Sequence, residues 1–113
     1  MSEEKRKHGL RIKQRLEVEI WHNSPRTQAF VEDLSESGMF IDTNMAIHEG
    51  ADIQFSFRIP GIDPETPISG AGTVMWSDPT GLGIKFLDLS EEDRKRIRFF
   101  VGAVFFNQPP ELL

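Results

Sequence analysis

The period of the apolar positions changes once along this chain, near residue 90. Before that point the pattern is short and two-fold. Leu16-Glu-Val-Glu-Ile-Trp21 alternates apolar and polar, the signature of a half-buried strand. Asn23-Ser-Pro25 is a turn signal. Thr27–Leu34 reads as a second strand and Gly38–Thr43 as a third, and His48-Glu-Gly50 then breaks the chain. Asp52–Ile59 alternates again, with Ile53, Phe55, Phe57 and Ile59 on one face. Pro60–Pro67 is a loop rich in proline and acid. Ile68–Trp76 and Gly83–Leu87 read as a fifth and a sixth strand, joined through Ser77–Gly81. Short strands at this spacing predict an all-β sandwich or barrel.

After residue 90 the period becomes helical. Ser90-Glu-Glu-Asp93 opens like a capping box, with Asp93 where Glu or Gln is usual. Ile97, Val101 and Val104 fall at helical spacing, with Phe100 and Phe105 beside them. Arg94, Lys95, Arg96 and Arg98 crowd the first half, the less favourable end of the helix dipole for cations. Phe99–Phe106 is apolar nearly all round, so the helix needs two covers. One is the β domain. The other is a second copy, giving a homodimer through the C-terminal helix, or the N-terminal segment folding back. Asn107-Gln-Pro-Pro ends the helix.

Charge divides the chain more sharply than composition does. Residues 1–15 hold six basic residues against two acidic ones, a +4 arm. The remaining residues hold seven basic against sixteen acidic, a −9 body. An acidic body argues against binding a nucleic-acid polymer, whose partners are usually basic overall. The arm is either a solvating tail or a contact for something small and anionic. With 113 residues the chain has the length of one domain. It divides into a flexible basic arm over 1–14, a β domain with its helix over 15–106, and a tail over 107–113. There is no cysteine, which excludes disulfides and thiolate chemistry and suits the cytoplasm. The N-terminus has no secretory core, and no apolar run approaches the ~20 residues needed to span a bilayer.

Between the second and third strands stands Asp33-x-Ser35-x-x-Gly38. As a turn it explains itself: an Asx-type bond from Asp33, a hydroxyl holding the loop from Ser35, and conformational freedom at Gly38. As a site it offers a carboxylate, a hydroxyl and room for close approach. This motif and the basic arm upstream resemble the PilZ domain. Its marks are Arg-x-x-x-Arg before the first strand and (Asp/Asn)-x-Ser-x-x-Gly after the second. Gly72-Thr-Val-Met-Trp76, Gly81-Leu-Gly83-Ile-Lys-Phe86 and the capped helix follow in a similar order, so the resemblance covers roughly residues 5–105. It implies a six-stranded antiparallel Greek-key-type barrel capped by a C-terminal helix. It also implies a bacterial signalling receptor for cyclic di-GMP, associated with motility, polysaccharide or regulatory machinery, with neither catalysis nor a cofactor.

Two registers fit the first mark. Arg11-Ile-Lys-Gln-Arg15 matches it literally, although Arg15 abuts the alternating strand. Lys7-His-Gly-Leu-Arg11 places Arg11 22 residues before Asp33, nearer the layout the resemblance implies, with Lys7 replacing the first arginine and Arg6 beside it. The difference is chemical. A guanidinium donates in parallel to guanine O6 and N7, forks onto phosphate and stacks on a purine, whereas lysine is a point charge. The ligand-binding set expected from the resemblance is therefore Arg6, Lys7, Arg11, Asp33, Ser35 and Gly38, with Asp33 accepting from the guanine N1–H and N2–H₂ edge. The arm, mobile when free, closes over the nucleotide and alters the surface shown to a partner protein. The alternative is a protein-interaction module of the same fold that does not bind the nucleotide, a motility or pilus-associated adaptor, consistent with Lys7 and the apolar helix end.

Other residues read as structural. Trp76 lies near the barrel rim and is more often core than a stacking platform. His8, His22 and His48 lack metal-ligand spacing. Asp63 and Glu65 form a loop carboxylate pair without a nucleophile or histidine beside it. No Gly-rich phosphate loop of the P-loop kind is present.

Overall fold

A computed structural model describes residues 10–23, 25–61 and 65–107. The six expected strands are present: β1 (Arg11–Trp21), β2 (Thr27–Ser35), β3 (Gly38–Asp42), β4 (Asp52–Phe57), β5 (Ile68–Asp78) and β6 (Gly81–Asp88). All pairings are antiparallel. The order β1-β2-β3-β6-β5-β4 closes on itself as a barrel, which leaves no sheet edge exposed. One helix, α1 (Glu91–Phe106), follows β6.

β1 begins at Arg11, earlier than the alternation suggests, so residues 11–14 belong to the barrel and not to the arm. Ile12 faces inward and is buried, but polar Gln14 occupies the next inward position and hides the period from the sequence. The core is the inner face of every strand, with Ile53, Phe55 and Phe57 buried from β4 as the alternation predicts. The segment 43–51 joins β3 to β4, which are not neighbours, and so crosses one end of the barrel. Its Ile47 and Ala51 join the core there. At the other end α1 packs on β1 and β2 and buries Ile97, Phe100 and Val101.

The helix starts where its sequence says. Ser90 keeps extended backbone angles and its hydroxyl accepts from the Asp93 amide at 3.0 Å. The early arginines, unfavourable for the dipole, have tertiary partners. Arg96 reaches Asp93 at 2.9 Å and the Thr66 carbonyl at 2.6 Å. Arg94 and Arg98 both reach Glu36, in the turn between β2 and β3.

Four irregularities interrupt the ladders, and two of them shape the outer surface. In β2 the register against β3 slips between Val31 and Asp33, so Glu32 and Asp33 are both left solvent-accessible. In β5 the register against β6 slips between Val74 and Trp76, so Met75 and Trp76 both lie outside. A bulge opposes two residues to one and re-aims the side chains beyond it.

Candidate functional site

Arg11 and Ser35 are direct partners in the β1–β2 ladder. A hairpin thus converts a separation of 24 residues into contact. The Arg11 guanidinium is forked: Nη1 donates to Asp33 Oδ1, and Nη2 donates to Ser35 Oγ at 3.3 Å. The Asp33 carboxylate accepts from Arg11 rather than closing an Asx turn. Arg15, the other candidate, stands apart. It pairs with Glu32, reaches Asp42 at 3.4 Å and lies 4.1 Å over the Phe30 ring. Arg11 is therefore the arginine that meets the motif. Arg6 and Lys7 lie outside the described residues, as does Asp63.

Ser35 and Gly38 take structural positions at this site. Ser35 is 1% exposed, and its Oγ accepts from the amides of Ser37 and Gly38, each at 3.2 Å. A hydroxyl has two acceptor sites and one donor, so the two amides already fill its acceptor sites and the longer Arg11 contact shares them. Gly38 is not at positive φ, contrary to the conformational freedom expected of it. It is small because a Cβ there would lie 2.2 Å from the Ile84 carbonyl oxygen of β6. The turn is a rigid base, and Arg11 and Asp33 are the polar groups it presents.

Beside them opens a groove of about 500 Å³, bounded by Arg11, Asp33, Ser37, Phe40, Met75, Trp76 and Lys85. Its far wall is aromatic. Phe40 pairs with Gly83 across β3–β6, and Gly83 pairs with Trp76 across β6–β5. Gly83 has no side chain between them, so the two rings lean together and stack at 5.1 Å with 15° between their planes. A Cβ on Gly83 would meet the indole nitrogen at 2.2 Å. Trp76 is 43% exposed, so it is a rim residue and not the core residue that strict alternation predicts. The β5 bulge is the reason. Lys85 pairs with Gly38 across β3–β6 and has no ion-pair partner among the described residues. Phe40 and Lys85 were not singled out by the sequence reading. The outward periods of β3, with Gly38, Phe40 and Asp42 on one side, and of β6, with Gly81, Gly83 and Lys85, are the signals that place them.

The motif turn is tied to the helix. Glu36 Oε2 accepts from Arg98 Nη2 at 2.7 Å and Nε at 3.1 Å, while the Glu36 carbonyl accepts from Arg94 at 3.4 Å. The hydrogen bond to Glu36, with its negative charge, raises the Arg98 pKa above the ordinary value. No group of three His, Asp or Glu side chains able to hold a metal occurs among the described residues. None of their helices is long and apolar enough to cross a membrane.

Several solved structures share this fold. The Bacillus subtilis inhibitor of motility, MotI/DgrA, is similar with a TM-score of 0.77 at 14% identity, over 87% of this chain and 50% of that one. PlzA from Borreliella burgdorferi, solved with cyclic di-GMP, is similar with a TM-score of 0.58 at 22% identity, over 75% of this chain and 32% of that one. The PilZ domain of CeSA from a cellulose-synthesizing bacterium gives 0.54 at 17% identity, over 85% of this chain and 94% of that domain. The chain thus spans half the length of MotI/DgrA and about a third of PlzA. No curated protein matches it. The model of the PilZ domain matches residues 4–103, which takes in every strand, the motif turn and most of α1, and the chain belongs to the PilZ domain family.

Proposed function

We propose that this chain is a cytoplasmic receptor for cyclic di-GMP that relays the signal to a partner protein. The observation that supports this reading most is the Arg11 guanidinium, forked onto Asp33 and Ser35 at the mouth of a groove with an exposed indole. The groove volume lies within the range of small-molecule sites. In this reading Arg11 turns its free donors to guanine O6 and N7, Asp33 accepts from the N1–H and N2–H₂ edge, and Trp76 offers a face for stacking. Lys85 supplies a point charge for a phosphodiester. Arg6 and Lys7 close over the nucleotide, and Ser35 and Gly38 hold the turn. PlzA was solved in complex with cyclic di-GMP and MotI/DgrA is an inhibitor of motility, which is consistent with a motility-related role. A second reading is a protein-interaction module that does not take the nucleotide. Lys7 in place of an arginine and the exposed Phe99 and Phe106 favour it.

Calorimetric titration with cyclic di-GMP separates the two. The receptor reading expects micromolar binding that Arg11→Ala and Asp33→Ala each weaken at least about tenfold. Absence of both heat and thermal stabilisation at high micromolar nucleotide rejects it in favour of the interaction module.

A further inference from the structure

Helix α1 carries two apolar stripes with different fates. One, through Ile97, Phe100 and Val101, is buried on the barrel. The other runs through Phe99, Gly102, Ala103 and Phe106, at the i, i+3, i+4, i+7 spacing of a single helix face. Phe99 is 68% and Phe106 75% exposed. A Cβ on Gly102 would meet nothing within 4 Å among the described residues, which leave the middle of this stripe open.

The order along the stripe is large, small, small, large, and it reads the same in both directions. That is the requirement for a two-fold contact, in which residue i meets j' and j meets i'. We infer that two copies of this chain pair through α1, the helices antiparallel about a two-fold axis between Gly102 and Ala103. Phe99 of each copy then packs against Phe106 of the other, about 10 Å along the helix. Gly102 and Ala103 let the two axes approach closely at the centre. Charge selects the antiparallel arrangement. A parallel pair would set Lys95 against Lys95, and Glu91 and Glu92 against their own copies. The antiparallel pair holds the two Lys95 side chains about 20 Å apart along the helices.

The exposed parts of two phenylalanines and the small residues between them amount to roughly 300 Å² per copy, against about 800 Å² per partner in a stable interface. The pair is accordingly weak, of the size of a transient encounter. It requires no nucleotide, so its test is independent of the receptor reading.

The chain has no cysteine, so engineered thiols report unambiguously. Sedimentation of the nucleotide-free protein is expected to show a concentration-dependent dimer, with Phe99→Glu and Phe106→Glu each weakening it at least about tenfold. Both residues are exposed, so an unchanged circular dichroism spectrum is expected for both variants. Under mild oxidation Ala103→Cys should cross-link to itself, whereas Phe99→Cys should cross-link to Phe106→Cys in preference to itself. A strict monomer at about 500 μM, where even a weak pair of this area is expected to be populated, would overturn the inference and leave the stripe to another protein. So would a dimer indifferent to both glutamates, or one in which Phe99→Cys prefers its own copy.

Discussion

Gly38 and Gly83 are small for reasons no local rule contains. Each faces a neighbouring group across a ladder: the Ile84 carbonyl for Gly38 and the Trp76 indole for Gly83. A methyl group on Gly38 has a backbone atom in its way, which cannot rotate aside. Gly38→Ala should therefore destabilise the barrel by about 1–3 kcal/mol, the usual penalty of overpacking, as read by thermal or urea unfolding. Lys7 carries the opposite expectation. If it stands where a guanidinium would contact the nucleotide, Lys7→Arg should tighten cyclic di-GMP binding by roughly tenfold, one bidentate contact's worth, in the same titration. An unchanged affinity would remove Lys7 from the site.

At the scale of elements, the β2–β3 turn and α1 form one unit. Arg94 and Arg98 hold Glu36 from two sides, and Arg96 holds Thr66. The turn adjoins Ser35 at the end of β2, so these bonds join the base of the groove to the helix. Glu36→Ala leaves the Ser35 turn bonds intact and frees the Arg98 side chain. Amide exchange in the first two turns of α1 should then quicken by about three- to tenfold, local opening being governed by such tertiary ties. The Ser90 cap is unaffected, so the helix should remain. Unchanged exchange would show that Ile97, Phe100 and Val101 hold the helix alone.

For the whole molecule the relevant facts are closure and charge. The barrel has no free edge, and its two ends are covered by α1 and by segment 43–51. With the interior closed, the groove lies on the outer wall, on a chain whose net charge is −5. In the proposed reading an anionic nucleotide would be drawn by the basic residues of 1–15, three of them on β1, and repelled by the rest. The screening length shrinks from about 10 Å at 0.1 M salt to about 3 Å at 1 M, so contacts at the groove survive and longer-range attraction does not. Raising salt from about 50 to 500 mM should weaken cyclic di-GMP binding several-fold, measured by titration at both salts. Affinity that is flat or rising with salt would mean that the arm contributes nothing.

The strands, the change of period near residue 90, the Ser90 cap and the Asp33–Gly38 motif are local properties. Alternation, turn residues and capping chemistry act over a few positions, so the sequence alone determined them, and with them the barrel-plus-helix layout. The groove was decided by tertiary structure. The β2 bulge leaves Asp33 solvent-accessible beside Glu32, and the β5 bulge turns out Trp76, which strict alternation would bury. A bulge is a mismatch between two strands, so neither strand's own pattern records it. The stacking of Phe40 on Trp76 over Gly83, and the grip of Arg94 and Arg98 on Glu36, likewise join residues that become neighbours only when the barrel closes and the helix docks on it.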